Sequence, residues 1–308
     1  MRAVVLRRFG PPERLVAEDV PAPRPAAGEV LVDVRFAGIT FVETQIRAGR
    51  PPHPSMSPAL PVVLGNGVAG LVMDGDGPGR RVVTTTAGTG GYAEHVAVGA
   101  DLPLEVPAGL DLAEALALLA DGRTALSLMA SAEVQPGESV LVLAAAGGVG
   151  SLLVQLARDA GGHVIAAAGG ERKLALAREL GAQRAVDYTR EGWTAATGPV
   201  DVVFDGVGGA TGAAAHGLLR GGGRDIHFGM ASGAFTSLDG EARPDVRIVR
   251  GVPLTPDRMR ALSDEALALA AAGRLRPVIG QTFALGRAAD AHAAIEARAT
   301  VGKTLLVV

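Results

Sequence analysis

Gly137-Glu138-Ser139-Val140-Leu141-Val142-Leu143-Ala144-Ala145-Ala146-Gly147-Gly148-Val149-Gly150-Ser151-Leu152-Leu153-Val154-Gln155-Leu156-Ala157-Arg158 is the stretch whose reading decides the fold. Pro136-Gly137 opens a short apolar run, Ser139 to Leu143, of the kind that forms a buried parallel strand. Beyond it, Leu152, Leu153, Leu156 and Ala160 fall at helical spacing. Ala146, Gly147, Gly148, Val149 and Gly150 lie between, so a glycine-rich turn joins a strand to a helix. Residues without side chains let the backbone approach a dinucleotide pyrophosphate, and the unpaired N–H groups and dipole of the helix N-terminus attract it. The turn reads A-x-x-G-G-V-G rather than G-x-G-x-x-G, so on its glycines alone a turn that holds no ligand is a competing reading. Context favours the nucleotide: a strand at His163–Ala168 and a helix at Arg172–Leu180 close a βαβ unit.

The same stretch resembles the signature of the quinone oxidoreductase and zeta-crystallin branch of the medium-chain dehydrogenase/reductase superfamily. Gly137, Glu138, Leu141, Ala145, Ala146, Gly147, Gly148, Gly150, Gln155 and Arg158 carry the match. Gly38 to Gly49 is similar to the family segment that lines the substrate side of the nicotinamide. Leu60 to Gly70 and Gly90 to His95 resemble the segments after it, and Asp111 to Leu128 resembles the helix that enters the cofactor domain. The resemblance implies a GroES-like N-terminal domain.

Residues 1 to about 110 carry short strand-like runs at Val4–Leu6, Val30–Val34, Val62–Leu64, Gly70–Val72, Arg81–Thr84 and Tyr92–Val96, with one short helix, Phe41–Ala48, closed by Gly49. From about 115 to 250 helix and strand alternate, as in a doubly wound sheet. The expected fold is α/β, a doubly wound parallel Rossmann-type sheet plus a β-rich GroES-like catalytic domain. The expected divisions are 1–114 for the catalytic domain, 115–250 for the cofactor domain, and 251–308 for a segment that, by the resemblance, returns to the catalytic domain.

The composition narrows the function. At 308 residues, 48% hydrophobic and 20% charged, the chain is long enough for two cores and does not read as disordered. A net charge of −3 with no basic run gives no attraction to nucleic acid or to an anionic membrane. No apolar run approaches the roughly 20 residues of a membrane span. Met1-Arg2-Ala3-Val4 is unlike a signal peptide, so a cytoplasmic location is the expectation. Cysteine is absent, which removes thiolate nucleophiles and cysteine-bound zinc. The six histidines stand singly, make no close metal-ligand pair, and read as surface or capping residues. No metal site is expected.

An NAD site usually places an acid about twenty residues beyond the glycines, to bond the ribose 2′-OH. Here the second strand ends Ala168-Gly169-Gly170, with Ala168 where the family's acid would stand, leaving room for a 2′-phosphate. Arg172 and Lys173 follow and can neutralise it, although a solvated first helix turn explains the same pair. Tyr188 resembles the family tyrosine that reaches that phosphate. Glu171 opposes the assignment if its carboxylate faces the pocket. NADPH is therefore the expected cofactor. Other strand ends, including Gly206-Val207-Gly208, complete a crevice lined by backbone. Thr124 resembles a family threonine near the nicotinamide amide, although a helical threonine also bonds its own backbone. Phe228-Gly229-Met230 resembles the start of a loop bordering the nicotinamide.

Zinc-dependent members of the superfamily carry Cys and His ligands near the positions of Thr40 and Gly65. Without that Lewis acid, the acceptor must take hydride readily. A quinone or an α,β-unsaturated carbonyl does, since the charge delocalises onto an oxygen that water or a hydroxyl can protonate. Thr40, Glu43, Gln45 and Arg47 are the substrate-side candidates, against the alternative of a polar face on an exposed helix. The family commonly has Asn, Asp and Tyr where this chain has Thr40, Glu43 and Gln45, and Glu at Gly67, which keeps an enoyl-thioester reductase or a biosynthetic tailoring reductase open. A nucleotide-binding redox sensor without turnover is the alternative of another class. A homodimer is implied by the resemblance, and two-fold assembly is also the common default.

Overall fold

The computed structural model describes residues 1–74, 77–238, 243–251 and 254–308. The chain divides into two compact units, one of residues 1–120 with 263–308 and one of residues 121–262. The boundaries drawn from sequence lay at 114 and 250. The chain passes from one unit to the other within two helices, α2 (Leu112–Ala132) and α7 (Pro256–Ala271).

The first unit contains β1 (Arg2–Leu6), β2 (Leu15–Asp19), β3 (Glu29–Ile39), α1 (Phe41–Arg47), β4 (Val62–Val63), β5 (Gly67–Val72), β6 (Arg81–Thr85), β7 (His95–Gly99), β8 (Leu104–Glu105), β15 (Ile279–Ala284), α8 (Ala288–Glu296) and β16 (Lys303–Val307). One sheet runs β2-β1-β4 and a larger one β15-β16-β3-β5-β6-β8, with β7 also on β3. The C-terminal strand β16 pairs antiparallel with β3, Thr304 opposite Ile39. Val4, Leu6, Val32, Val68, Tyr92 and Leu306 share one buried core. α1 starts because Glu43 caps it, and it ends at Gly49, whose φ of +78° suits a residue without a side chain.

The second unit contains β9 (Ser139–Leu143), α3 (Gly148–Asp159), β10 (His163–Ala168), α4 (Glu171–Glu179), β11 (Arg184–Asp187), α5 (Trp193–Thr197), β12 (Val200–Asp205), α6 (Gly209–His216), β13 (Leu219–His227) and β14 (Arg247–Arg250). The strands form one parallel sheet in the order β11-β10-β9-β12-β13-β14. The order reverses beside β9, and at such a switch point the carboxyl ends of the strands open a crevice for a ligand. β9, β10 and β12 are buried on both faces, as their largely apolar sequences require.

The histidine expectation needs correcting. His216, His227 and His292 are buried. His216 Nδ1 and His227 Nε2 lie 2.7 and 2.9 Å from the Oδ2 of buried Asp225. Asp225 and His227 alternate with Ile226 along β13 and so share a face, and a carboxylate partner makes such burial tolerable. Among the described residues no helix is long and apolar enough to cross a membrane.

Candidate functional site

In the second unit the site is built on the turn between β9 and α3. Ala144 leaves the strand with φ of +50°, an uncommon conformation for a residue with a side chain, and its carbonyl accepts the Gly147 N–H at 2.8 Å. A Cβ on Gly150 would lie 2.3 Å from the Ala144 oxygen, so only glycine lets the helix pack this close to the strand end. A Cβ on Gly148 would lie 2.1 Å from a carboxylate oxygen of Asp121. Asp121, on α2, thus borders the turn, a position no sequence signal announced. Gly147, Gly148 and Val149 are half-exposed, while Ala146 and Gly150 are buried. The first-turn N–H groups of α3 have no helical acceptor and are the donors an anion needs.

β10 ends at buried Ala168, opposite Asp187 of β11. The Tyr188 ring and the Thr189 methyl lie beside Gly169, 3.8 and 3.0 Å from where a Cβ would stand. Gly170 begins α4 with φ of +86° and open space around it. Arg172 is exposed and Lys173 half-buried in the first turn. Glu171 does not stand alone: its carboxylate pairs with Arg178, two turns along the same helix, at 2.5 Å. Asp187 is the acid that sequence reasoning missed here. Its carboxylate accepts the Thr189 hydroxyl at 2.6 Å, the Thr189 N–H at 2.9 Å and the Gly170 N–H at 3.2 Å. The Thr189 hydrogen bond, supported by those N–H groups and Arg190, holds Asp187 below the usual carboxylate range.

Across the switch point, Gly206, Val207 and Gly208 follow β12, and Phe228, Gly229 and Met230 follow β13. The Phe228 ring covers Gly206, whose Cβ would lie 2.6 Å from the ring tip. Thr124 is half-buried on the part of α2 that belongs to this unit.

In the first unit, the three segments singled out by resemblance come together. The Glu43 carboxylate accepts the Thr40 N–H at 2.5 Å on one oxygen and the Asn66 N–H at 2.8 Å on the other, tying the start of α1 to the β4–β5 turn. Gly91 and Tyr92 donate N–H groups to Gly65 and Leu64. Gly65 has φ of +105°, and its Cβ would lie 2.5 Å from the Tyr92 ring. Burial raises the Glu43 carboxyl, against the Thr40 and Asn66 N–H groups and the nearby Lys303 ammonium.

Thr40 is half-exposed, whereas Glu43, Gln45 and Arg47 are buried, so the polar face of α1 is not the solvated face that its composition suggested. Gln45 donates to the Thr44 hydroxyl at 3.1 Å. Arg47, 1% exposed, donates to the Gly10 carbonyl at 2.7 Å, to the Thr44 carbonyl, and to Glu296 of α8 in an ion pair. Its guanidinium serves the fold, because each of these partners lies within the unit. Burial lowers its pKa and Glu296 opposes that shift.

Residues 26–108 match the alcohol dehydrogenase GroES-like domain family, and residues 180–306 match the zinc-binding dehydrogenase family. A quinone oxidoreductase of Pseudomonas aeruginosa is 31% identical over 97% of each chain. A 2-haloacrylate reductase of a Burkholderia species is 32% identical over 99% of this chain and 98% of its own. Among solved structures, the Escherichia coli quinone oxidoreductase complexed with NADPH superposes with a TM-score of 0.89 at 29% identity, covering all of both chains.

Proposed function

Because the chain belongs to the quinone oxidoreductase branch of the medium-chain dehydrogenase/reductase superfamily, we propose that it is an NADPH-dependent reductase of quinones or α,β-unsaturated carbonyls. The observation that carries the cofactor half is the corner after β10. Ala168 replaces the acid that would hold a ribose 2′-OH, and Glu171 pairs with Arg178. Arg172 and Lys173 then offer two positive charges for a 2′-phosphate, with the Tyr188 ring beside Gly169. The turn fits the rest of the nucleotide: Gly150 gives the close strand–helix approach, and Gly147, Gly148 and Val149 offer N–H groups to the pyrophosphate.

When bound, the reduced nicotinamide supplies hydride. The residues of the chain bind, orient and exclude water. Gly206–Gly208 and Phe228–Met230 border the nicotinamide end, and Thr124 borders its amide. On the acceptor side, Glu43 holds the Thr40 and Asn66 backbones in place, and the Thr40 hydroxyl donates to the acceptor oxygen as it gains charge. Most of the rate then comes from orientation and from a dry site rather than from side-chain chemistry. A zinc Lewis acid has no cysteine to hold it, and Thr40 and Gly65 stand where zinc-dependent relatives carry ligands.

A conjugated acid or thioester is the second reading for the acceptor. The substitutions at Thr40, Glu43, Gln45 and Gly67 favour it, as does the 2-haloacrylate reductase among the relatives. NADPH oxidation at 340 nm against quinones, enones, 2-haloacrylates and enoyl thioesters decides between them. Oxidation of none, with NADPH bound, would contradict both and leave a sensor. We also propose a two-fold homodimer formed through the edge strand β14, to be read by light scattering.

A further inference from the structure

We propose that Asp205 is a positioning residue for the nicotinamide end of the cofactor, acting by locking two loop segments to its buried carboxylate and a third to its backbone carbonyl. The proposal rests on the NADPH reading above. Asp205 ends β12 and is 1% exposed. Its Oδ1 accepts the N–H groups of Val207 at 2.9 Å and Gly208 at 2.8 Å. Its Oδ2 accepts the hydroxyl of buried Thr236 at 2.5 Å. Its backbone carbonyl accepts the N–H groups of Phe228 at 2.9 Å and Gly229 at 3.2 Å. One residue therefore fixes the 206–208 turn, the start of the 228–230 segment, and the returning chain at 236.

The surroundings are cleared for these bonds. A Cβ on Gly212 of α6 would stand 1.9 Å from the Thr236 hydroxyl and 2.2 Å from Asp205 Oδ2, so the helix can cross here only with glycine. Gly208 has φ of +74°, and a Cβ there would lie 2.1 Å from the Ala234 carbonyl. A Cβ on Gly229 would lie 2.5 Å from the Gly206 carbonyl. The segments touch backbone to backbone, and the only ionisable group among these bonds is the one at their hub. A carboxylate suits that hub because it accepts on both oxygens, and charge-assisted bonds of this kind are about twice as strong as neutral ones. Phe228–Met230 and Gly206–Gly208 are the segments assigned to the nicotinamide end. Loosening Asp205 therefore displaces that end while the 2′-phosphate corner at Arg172 and Lys173 stays as it is.

The test separates the two ends of the nucleotide. Dissociation constants for NADPH and for 2′,5′-ADP, which lacks the nicotinamide, are measured by calorimetry on the wild type, Asp205→Asn, Asp205→Ala and Thr236→Val, together with kcat and thermal midpoints. Asp205→Ala is expected to leave 2′,5′-ADP affinity within about twofold, to weaken NADPH about tenfold, and to lower kcat about 100-fold, the scale of an ångström of misplacement. Thr236→Val, which removes one bond, should show the same pattern more weakly and carries the test if Asp205→Ala does not fold. Asp205→Asn keeps an acceptor for Val207 and Gly208 and should recover most of the NADPH affinity. Equal weakening of both ligands, or no change in either, would overturn the positioning role. A wild type that binds 2′,5′-ADP and NADPH equally would overturn it too, while leaving the NADPH site standing. A wild type that binds neither would overturn the cofactor reading and this role with it.

Discussion

The Tyr92 hydroxyl meets His292 Nε2 at 3.1 Å, with the two rings edge-on at 85° and both residues fully buried. The contact links the 90–95 segment to α8, 200 residues later in the chain. Burial and the neighbouring Arg47 guanidinium push the His292 imidazole down to about 3, so it stays neutral at physiological pH. Burial and Glu43 together push the Tyr92 phenol well up.

This pair makes the fold acid-sensitive. Between pH 6.5 and about 3 the unfolded chain protonates His292 and the folded one does not, so its contribution to stability is full above pH 6.5 and is lost as pH falls through that window. The slope reaches about 1.4 kcal/mol per pH unit. Urea unfolding of the wild type and His292→Gln at pH 7 and 4.5 checks this. The variant should lose less stability on acidification than the wild type, and equal losses would refute the assignment. Glu43 acts in the opposite sense: its raised carboxyl holds a proton in the fold above pH 4.5, so its contribution falls as pH rises.

Glu43→Ala should destabilise the first unit by about 1–3 kcal/mol, because the Thr40 and Asn66 N–H groups lose a buried acceptor. On the proposed reading, KM for the acceptor rises while the NADPH dissociation constant is unchanged. A shift in NADPH affinity instead would place Glu43 elsewhere in the mechanism.

Gly150→Ala should weaken NADPH and NADH alike, since the methyl group would lie 2.3 Å from the Ala144 oxygen and the turn must open to accept it. Overpacking of this kind costs about 1–3 kcal/mol. Unchanged nucleotide affinity with an unchanged thermal midpoint would contradict the close packing.

Arg178→Ala releases Glu171 next to Arg172 and Lys173. NADPH affinity should fall severalfold, and NADH affinity should stay the same. Arg172→Ala with Lys173→Ala should cost NADPH 10- to 100-fold, the scale of two charge-assisted bonds. Parallel losses for both nucleotides would remove the 2′-phosphate from this corner.

The sequence announced the elements whose two faces are both buried. β10 and β12 coincide with the largely apolar runs at His163–Ala168 and Val200–Asp205. Two edge elements escaped it: β2 carries Glu18, Asp19 and an exposed Val16, and β14 carries Arg247 and Arg250, so neither has a long apolar run. Tyr92 reads as strand, yet the strand begins at His95, because the Tyr92 backbone is taken by Leu64 and Val4. α3 starts at Gly148, inside the glycine run, where propensity argues against a helix. The candidate site was legible as a turn with basic residues after it. Its side-chain partners were not, because Glu171 answers to Arg178, Arg47 to Glu296 and Asp205 to Thr236. The last two depend on tertiary contact, which no local pattern encodes, and the first depends on a helix register that the sequence alone did not settle.

The most direct measurement is calorimetric titration of the wild-type protein with NADPH and with NADH under the same conditions. The account predicts a single site per chain, with NADPH bound at least about tenfold more tightly, as the charge-assisted contacts of Arg172 and Lys173 require. Equal or tighter binding of NADH, or no binding of either, would contradict it.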